Sequence, residues 1–195
     1  MNKKYCITAP AKLNLNLFVK SKNENGLHFL ESDICFLELC DKLYINISKK
    51  DAFFQNKKTK SLIINPNDNL ILKAINQFRL FTKWEKKFEV FLDKEIPIGA
   101  GLGGGSADAA ATLILLRKIY NQESENKYID LSSLHKIALN LGSDVPACLK
   151  SKDIKLKGYG EKVTRSKFPE NYFFLLINPN VRLSTRDVFK HYENS

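Results

Sequence analysis

Five of the nine glycines in this chain fall between positions 99 and 105, inside the stretch Pro97-Ile98-Gly99-Ala100-Gly101-Leu102-Gly103-Gly104-Gly105-Ser106-Ala107. Before it, Phe88, Val90 and Leu92 alternate as in a strand. After it, Ser106 opens an alanine- and leucine-rich run, Ala107 to Leu116, which reads as a buried helix. A strand that turns through glycines into a helix N-terminus presents bare backbone N–H groups and the positive end of a helix dipole. That arrangement suits phosphate.

A flexible linker is the plain alternative. Linkers, however, carry serine and charge on both sides and do not run straight into an alanine-rich helix. The stretch is not a Walker A loop, because no lysine follows the glycines. Gly99, Gly101 and Gly104 match the dinucleotide fingerprint, but that motif needs a second strand about twenty residues further on, ending in an acidic residue. Polar Asn121-Gln122-Glu123-Ser124-Glu125-Asn126 stands there instead.

A chain of 195 residues holds one generous domain, or one domain and part of another. No apolar run reaches the roughly 20 residues that cross a bilayer, and Met1 to Cys6 lacks the shape of a signal peptide. Cys6, Cys35, Cys40 and Cys148 show neither a CxxC pair nor a disulfide spacing, so reduced thiols in a cytoplasm are expected. The net charge of +10 raises a nucleic-acid reading. The lysines are spread along the chain, with small clusters at Lys57-Lys58-Lys60 and Lys83-Lys86-Lys87, and no aromatic-plus-arginine platform accompanies them. We therefore expect no nucleic-acid and no membrane partner; the basic surface would draw a polyanion such as ATP.

Along the chain, Tyr5 to Thr8 reads as a strand that Ala9-Pro10 interrupts. Ala11 to Lys20 alternates cleanly, placing Leu13, Leu15, Leu17 and Val19 on a core face and Lys12, Asn14 and Asn16 on the other. That polar face is either exposed or the floor of a site. Asn23 to Gly26 marks a turn, Asp41-Lys42 another, and Leu43 to Ile47 a strand. Phe53 to Lys60 reads as a loop or a ragged edge and Leu62 to Ile64 as a short strand. Asn67-Asp68 caps a helix from Asn69 to Thr82. A further helix spans Leu131 to Leu141, with Gly142 ending it. Pro146 lies in the first turn of a short helix, which makes Asp144 a candidate N-cap. Ile154–Lys157 and Lys162–Arg165 read as a hairpin, Tyr172 to Ile177 as an apolar strand, and Leu183 to Tyr192 as a helix.

Three stretches in this order, Pro10-Ala11-Lys12-Leu13-Asn14-Leu15, Pro97 to Ser106 and Leu141-Gly142-Ser143-Asp144-Val145-Pro146, resemble the GHMP kinase superfamily. Gly26-Leu27-His28, Asp68-Asn69-Leu70 and Gly158-Tyr159-Gly160-Glu161 are similar to the same family. The resemblance implies an α+β fold, with a ribosomal protein S5 domain 2-like N-terminal domain over residues 1–153. It implies the start of a ferredoxin-like domain over 154–195, the remainder missing. It implies transfer of the ATP γ-phosphoryl group to the 2-hydroxyl of a cytidine diphosphate methylerythritol, with Mg2+ bridging the phosphates. By the same resemblance Asp144 is the catalytic base and Lys12 its cationic partner. Pro97, Ile98, Gly99, Ala100, Gly101, Leu102, Gly103, Gly104, Gly105, Ser106 and Ala107 form the ATP-phosphate loop. Asn14, His28 and Phe189 contact the substrate, the last two at its cytosine. Two departures stand out: Leu27 occupies a position where the family carries an aromatic, and the family's glycine-rich third motif has no counterpart. Three other readings follow from these departures and the charge: a nucleotide-binding fragment without activity, a sibling GHMP kinase, and an RNA-binding module.

Overall fold

The computed structural model describes residues 5–22, 28–56, 69–123, 128–159, 161–166, 168 and 172–178. Its spine is one long strand, β3 (His28–Ser48), with β1 (Tyr5–Asn14) and β2 (Phe18–Lys22) preceding it. β2 and then β1 pair antiparallel along one edge of β3. The other edge takes β6 (Ile154–Gly158) beside Leu30–Ile34 and β5 (Lys87–Asp93) beside Lys42–Ser48. β4 (Ala52–Gln55) joins β5 in parallel, and β7 (Lys162–Arg165) closes a hairpin with β6. The order β4-β5-β3-β6-β7, with β1 and β2 on the flank of β3, makes a mixed sheet.

Four helices accompany the sheet among the described residues: α1 (Leu70–Thr82), α2 (Gly104–Glu123), α3 (Leu131–Leu139) and α4 (Val145–Lys150). Asn69 starts α1, its side chain accepting from the Ile71 N–H at 2.9 Å. α2 buries almost its whole circumference: Ala107, Ala109, Ala110, Ala111, Leu113, Leu115, Leu116 and Ile119 lie in the core. Short alanine side chains let its first two turns lie close to the sheet and to α4. Phe78, Trp84, Phe88 and Tyr120 lock α1, β5 and α2 together, with Trp84 and Tyr120 rings edge to face at 5.1 Å.

The α+β class and the hairpin match the sequence expectation; several local readings change. β1 runs through Ala9-Pro10 and shifts register between Pro10 and Lys12 instead of breaking. It ends at Asn14, and the alternation beyond it inverts: Leu15 and Leu17 are 41% and 48% exposed, while Lys12 is buried at 7%. Asp41-Lys42 is no turn but lies inside β3, and of the two readings for Phe53 onward the sheet edge holds over Ala52–Gln55, the edge strand β4. Tyr172 to Ile177 forms no strand, and its side chains are exposed. Asn23–Leu27, Leu62–Ile64, Asn67-Asp68, Gly160 and the residues 183–192 expected to form a helix lie outside the described residues.

The burial of Asp41 exposes a buried charge cluster. Asp41 is wholly inaccessible and Lys94, just beyond β5, is 3% exposed. The Lys94 ammonium donates to Asp41 Oδ2 and, at 2.8 Å, to Asp108 Oδ2 in the first turns of α2. The other Asp41 oxygen accepts the backbone N–H groups of Glu95 and Ile96 at 2.7 and 2.9 Å. Asp108 Oδ1 is the one buried side-chain polar atom without a hydrogen-bond partner among the described residues. Burial pushes the Asp108 carboxyl up to about 7; the Lys94 charge opposes this and the Asp41 charge adds to it.

The folded chain therefore holds a proton on Asp108 that the unfolded chain has released above its ordinary value near 4, and this group lowers stability as pH rises toward 7. Asp108→Asn removes that slope. Urea unfolding of both proteins from pH 4 to pH 7.5 is expected to show the variant gaining stability relative to wild type across the window. A constant difference would contradict the shift.

Candidate active site

Lys12 gathers the site. Its N–H points away from β3, as alternate residues of an antiparallel strand do, and donates to the Leu102 carbonyl at 2.9 Å. The glycine loop is thereby stitched to β1. The side chain runs inward, and its Nζ lies 3.1 Å from Asp144 Oδ2 and donates to Asn14 Oδ1 at 2.7 Å. Gly103 packs directly on it, since a Cβ there would sit 2.5 Å from Lys12 Cγ. Gly103 also has φ +64, where side chains are disfavoured, so two independent constraints demand glycine.

Asp144 occupies the N-cap position of α4, yet its side chain makes no capping hydrogen bond. It turns to Lys12. The Asp144 side chain is 38% exposed and that of Lys12 only 9%, so an accessible carboxylate stands in front of a sequestered cation. Cys148 lies one turn along α4. Burial first, and then the Asp144 charge, push its thiol up to about 12, so it adds no charge beside the pair.

The polar face foreseen for Lys12, Asn14 and Asn16 is an inward, connected network. Asn14 Nδ2 donates to the Ser32 hydroxyl at 2.7 Å, and Ser32 donates to the Asn16 carbonyl. Asn16 Nδ2 donates to Asp33 Oδ2 and Asn16 Oδ1 accepts the Asp33 N–H. Because Ser32 must accept from Asn14, the amide is fixed with its oxygen toward the Lys12 ammonium. Ser32 is fully buried on β3.

Within the loop, Gly99 and Gly101 have φ of +77 and +76, and α2 begins at Gly104. The first i→i−4 bond of the helix runs from the Ala107 N–H to the Gly103 carbonyl at 2.9 Å. The N–H groups of Gly104, Gly105 and Ser106 are thus the helix-start donors. Pro97 to Ser106 are at least partly accessible, whereas Ala107 is buried.

The structure brings together Lys12, Asn14, Asp144 and the loop at Leu102 and Gly103. His28 begins β3, on the same face as Ser32 and on the order of 13 Å along the strand from it. Phe189 and Leu27 lie outside the described residues. Sequence reading missed Ser32, Asp41, Lys94 and Asp108. The one signal available for Asp41 was a carboxylate inside the otherwise apolar periodicity from Ile34 to Ile47; Ser32 carried none. Among the described residues no cluster of three or more metal-ligating side chains occurs, and no helix is long and apolar enough to cross a membrane.

Residues 69–152, from the cap of α1 to just past α4, match the family model for the GHMP kinases N terminal domain. The chain is 36% identical over 181 residues to the 4-diphosphocytidyl-2-C-methyl-D-erythritol kinase of Shewanella loihica, covering 93% of this chain and 61% of that one. It is 37% identical to the enzyme of the same name from Wolbachia pipientis, covering 98% and 66%. The chain thus spans about three fifths to two thirds of the length of the curated relatives it matches. A crystal structure of a 4-(cytidine 5'-diphospho)-2C-methyl-D-erythritol kinase superposes with a TM-score of 0.72 at 30% identity, covering 95% of this chain and 63% of that one. Homoserine kinase from Cytophaga hutchinsonii shares the fold at 19% identity, with a TM-score of 0.62. With the glycine loop, the lysine on β1 and the aspartate before α4 in one constellation, the chain belongs to the GHMP kinase superfamily, among relatives named 4-diphosphocytidyl-2-C-methyl-D-erythritol kinase.

Proposed function

We propose that this chain transfers the γ-phosphoryl group of ATP to the 2-hydroxyl of 4-diphosphocytidyl-2-C-methyl-D-erythritol, a cytoplasmic step of non-mevalonate isoprenoid biosynthesis. The observation that carries the reading is the Lys12–Asp144 pair, 3.1 Å apart, with Lys12 bonded through its own backbone to the glycine loop. The domain division at residue 153 belongs to the same proposal.

Phosphoryl transfer asks for positioning and charge stabilisation more than for covalent chemistry. The N–H groups of Gly104, Gly105 and Ser106 and the dipole of α2 hold the phosphates. The accessible Asp144 carboxylate accepts the proton of the attacking hydroxyl. The oxygen forms its bond to the γ-phosphorus as the bond to ADP breaks, and ADP departs with the electron pair. Lys12 offsets the negative charge that develops on the attacking oxygen. The Asn14 amide, held by Ser32, keeps the ammonium on that line; as a substrate contact, Asn14 acts next to it. His28 at the start of β3 serves the cytosine, with Phe189 stacking on the base. The Ser106 hydroxyl, at the start of α2 beside the phosphates, would be a protein oxygen for Mg2+, which takes few such ligands and fills its shell from water and phosphate. When bound, Mg2+ neutralises phosphate charge.

Asp144→Asn should lower kcat by roughly 10² to 10⁴ with nucleotide affinity unchanged; wild-type turnover in a coupled ADP-release assay would contradict the assignment. Gly103→Ala drives a methyl group into the Lys12 stem and should cost about 10- to 100-fold in kcat/KM through misplacement of the ammonium. A variant with kcat/KM within twofold of wild type would show that the close packing is irrelevant to turnover.

A further inference from the structure

The glycine loop is anchored at both ends by one buried cluster. Asp41, on the sheet spine, accepts the N–H groups of Glu95 and Ile96, the last two residues before Pro97. The same carboxylate binds the Lys94 ammonium, which reaches across to Asp108 in the first turns of the helix that leaves the loop. That ammonium also lies 3.0 Å from where a Gly104 Cβ would stand, so it is packed against the first residue of α2. Entry strand, loop and exit helix therefore share one point of attachment.

We propose that Lys94 is a positioning residue for the nucleotide-phosphate loop, fixing the start of α2 relative to the strand that feeds the loop. It acts through the loop rather than on the nucleotide. Lys94 is 3% exposed, and the partners of its ammonium are the Asp41 and Asp108 carboxylates. Burying an ammonium and two carboxyl groups is a costly way to join two elements, and apolar residues of similar volume hold elements together as well or better. What an apolar patch lacks is direction: hydrogen bonds of fixed geometry set where Gly104, Gly105 and Ser106 point their N–H groups. Loss of the cluster should therefore degrade phosphate binding even where the fold survives.

This inference rests on the kinase reading of the loop, and the test separates the two. AMPPNP with Mg2+ and, separately, CDP are titrated calorimetrically into wild type, Lys94→Met and Lys94→Met/Asp108→Asn, with thermal unfolding followed in parallel. Lys94→Met leaves two buried carboxyl groups without their cation and is expected to lower the unfolding midpoint. The double variant removes one of them and is expected to recover most of it. In both, AMPPNP affinity should fall at least tenfold while CDP affinity stays within twofold of wild type, and if the single variant does not fold the double variant carries the test. Wild-type AMPPNP affinity in a folded variant overturns the positioning role, as does an equal loss for both ligands. A wild-type chain that binds no AMPPNP overturns the nucleotide reading of the loop, and the inference with it.

Discussion

Lys12 is where three separated parts of the chain meet. Its backbone N–H holds the glycine loop through Leu102, its stem is the surface on which Gly103 packs, and its ammonium faces Asp144 across from α4. In an antiparallel pair alternate residues turn their N–H groups away from the partner strand; the Leu15 N–H donates to Asp33 on β3, so that of Lys12, three positions earlier, turns outward to the loop. A buried lysine with an accessible carboxylate in front of it gives that carboxylate a fixed neighbour and leaves it open to a hydroxyl.

Behind this pair lie two sets of polar contacts that are buried or half-buried. Asp41, Lys94 and Asp108 sit under the loop, and the Asn14–Ser32–Asn16 network lies under Lys12. Both groups of contacts end on β3, the longest strand. Positions on β3 thus fix the height of the loop through Asp41 and the orientation of the lysine through Ser32. The spine of the fold doubles as the ruler of the site.

Much of this was legible in the sequence, and what was not has physical causes. The loop was readable because glycines at 99, 101 and 103 have few uses other than positive φ and close approach, and all three have φ near +70. Asp144 was ambiguous, because an aspartate before a Val-Pro helix start caps as readily as it catalyses; only its lack of a capping bond and its proximity to Lys12 separate the two. The alternation from Leu13 to Val19 misled on direction, since a period of two does not say which face is inward. Here Lys12 bonds to Asn14, Asn14 to Ser32 and Asn16 to Asp33, while Leu15 and Leu17 are exposed. Asp41 looked like a turn residue because the partner that makes its burial tolerable, Lys94, is 53 positions away. Pairings of that range leave no local pattern.

The most direct test of the central claim is a single-turnover experiment on this 195-residue chain. It is mixed in excess with γ-labelled ATP, Mg2+ and 4-diphosphocytidyl-2-C-methyl-D-erythritol, and the products are followed by phosphorus NMR. The account predicts one new phosphomonoester on the 2-hydroxyl for each ADP formed. Saturation with both ligands and no phosphoryl transfer would contradict it.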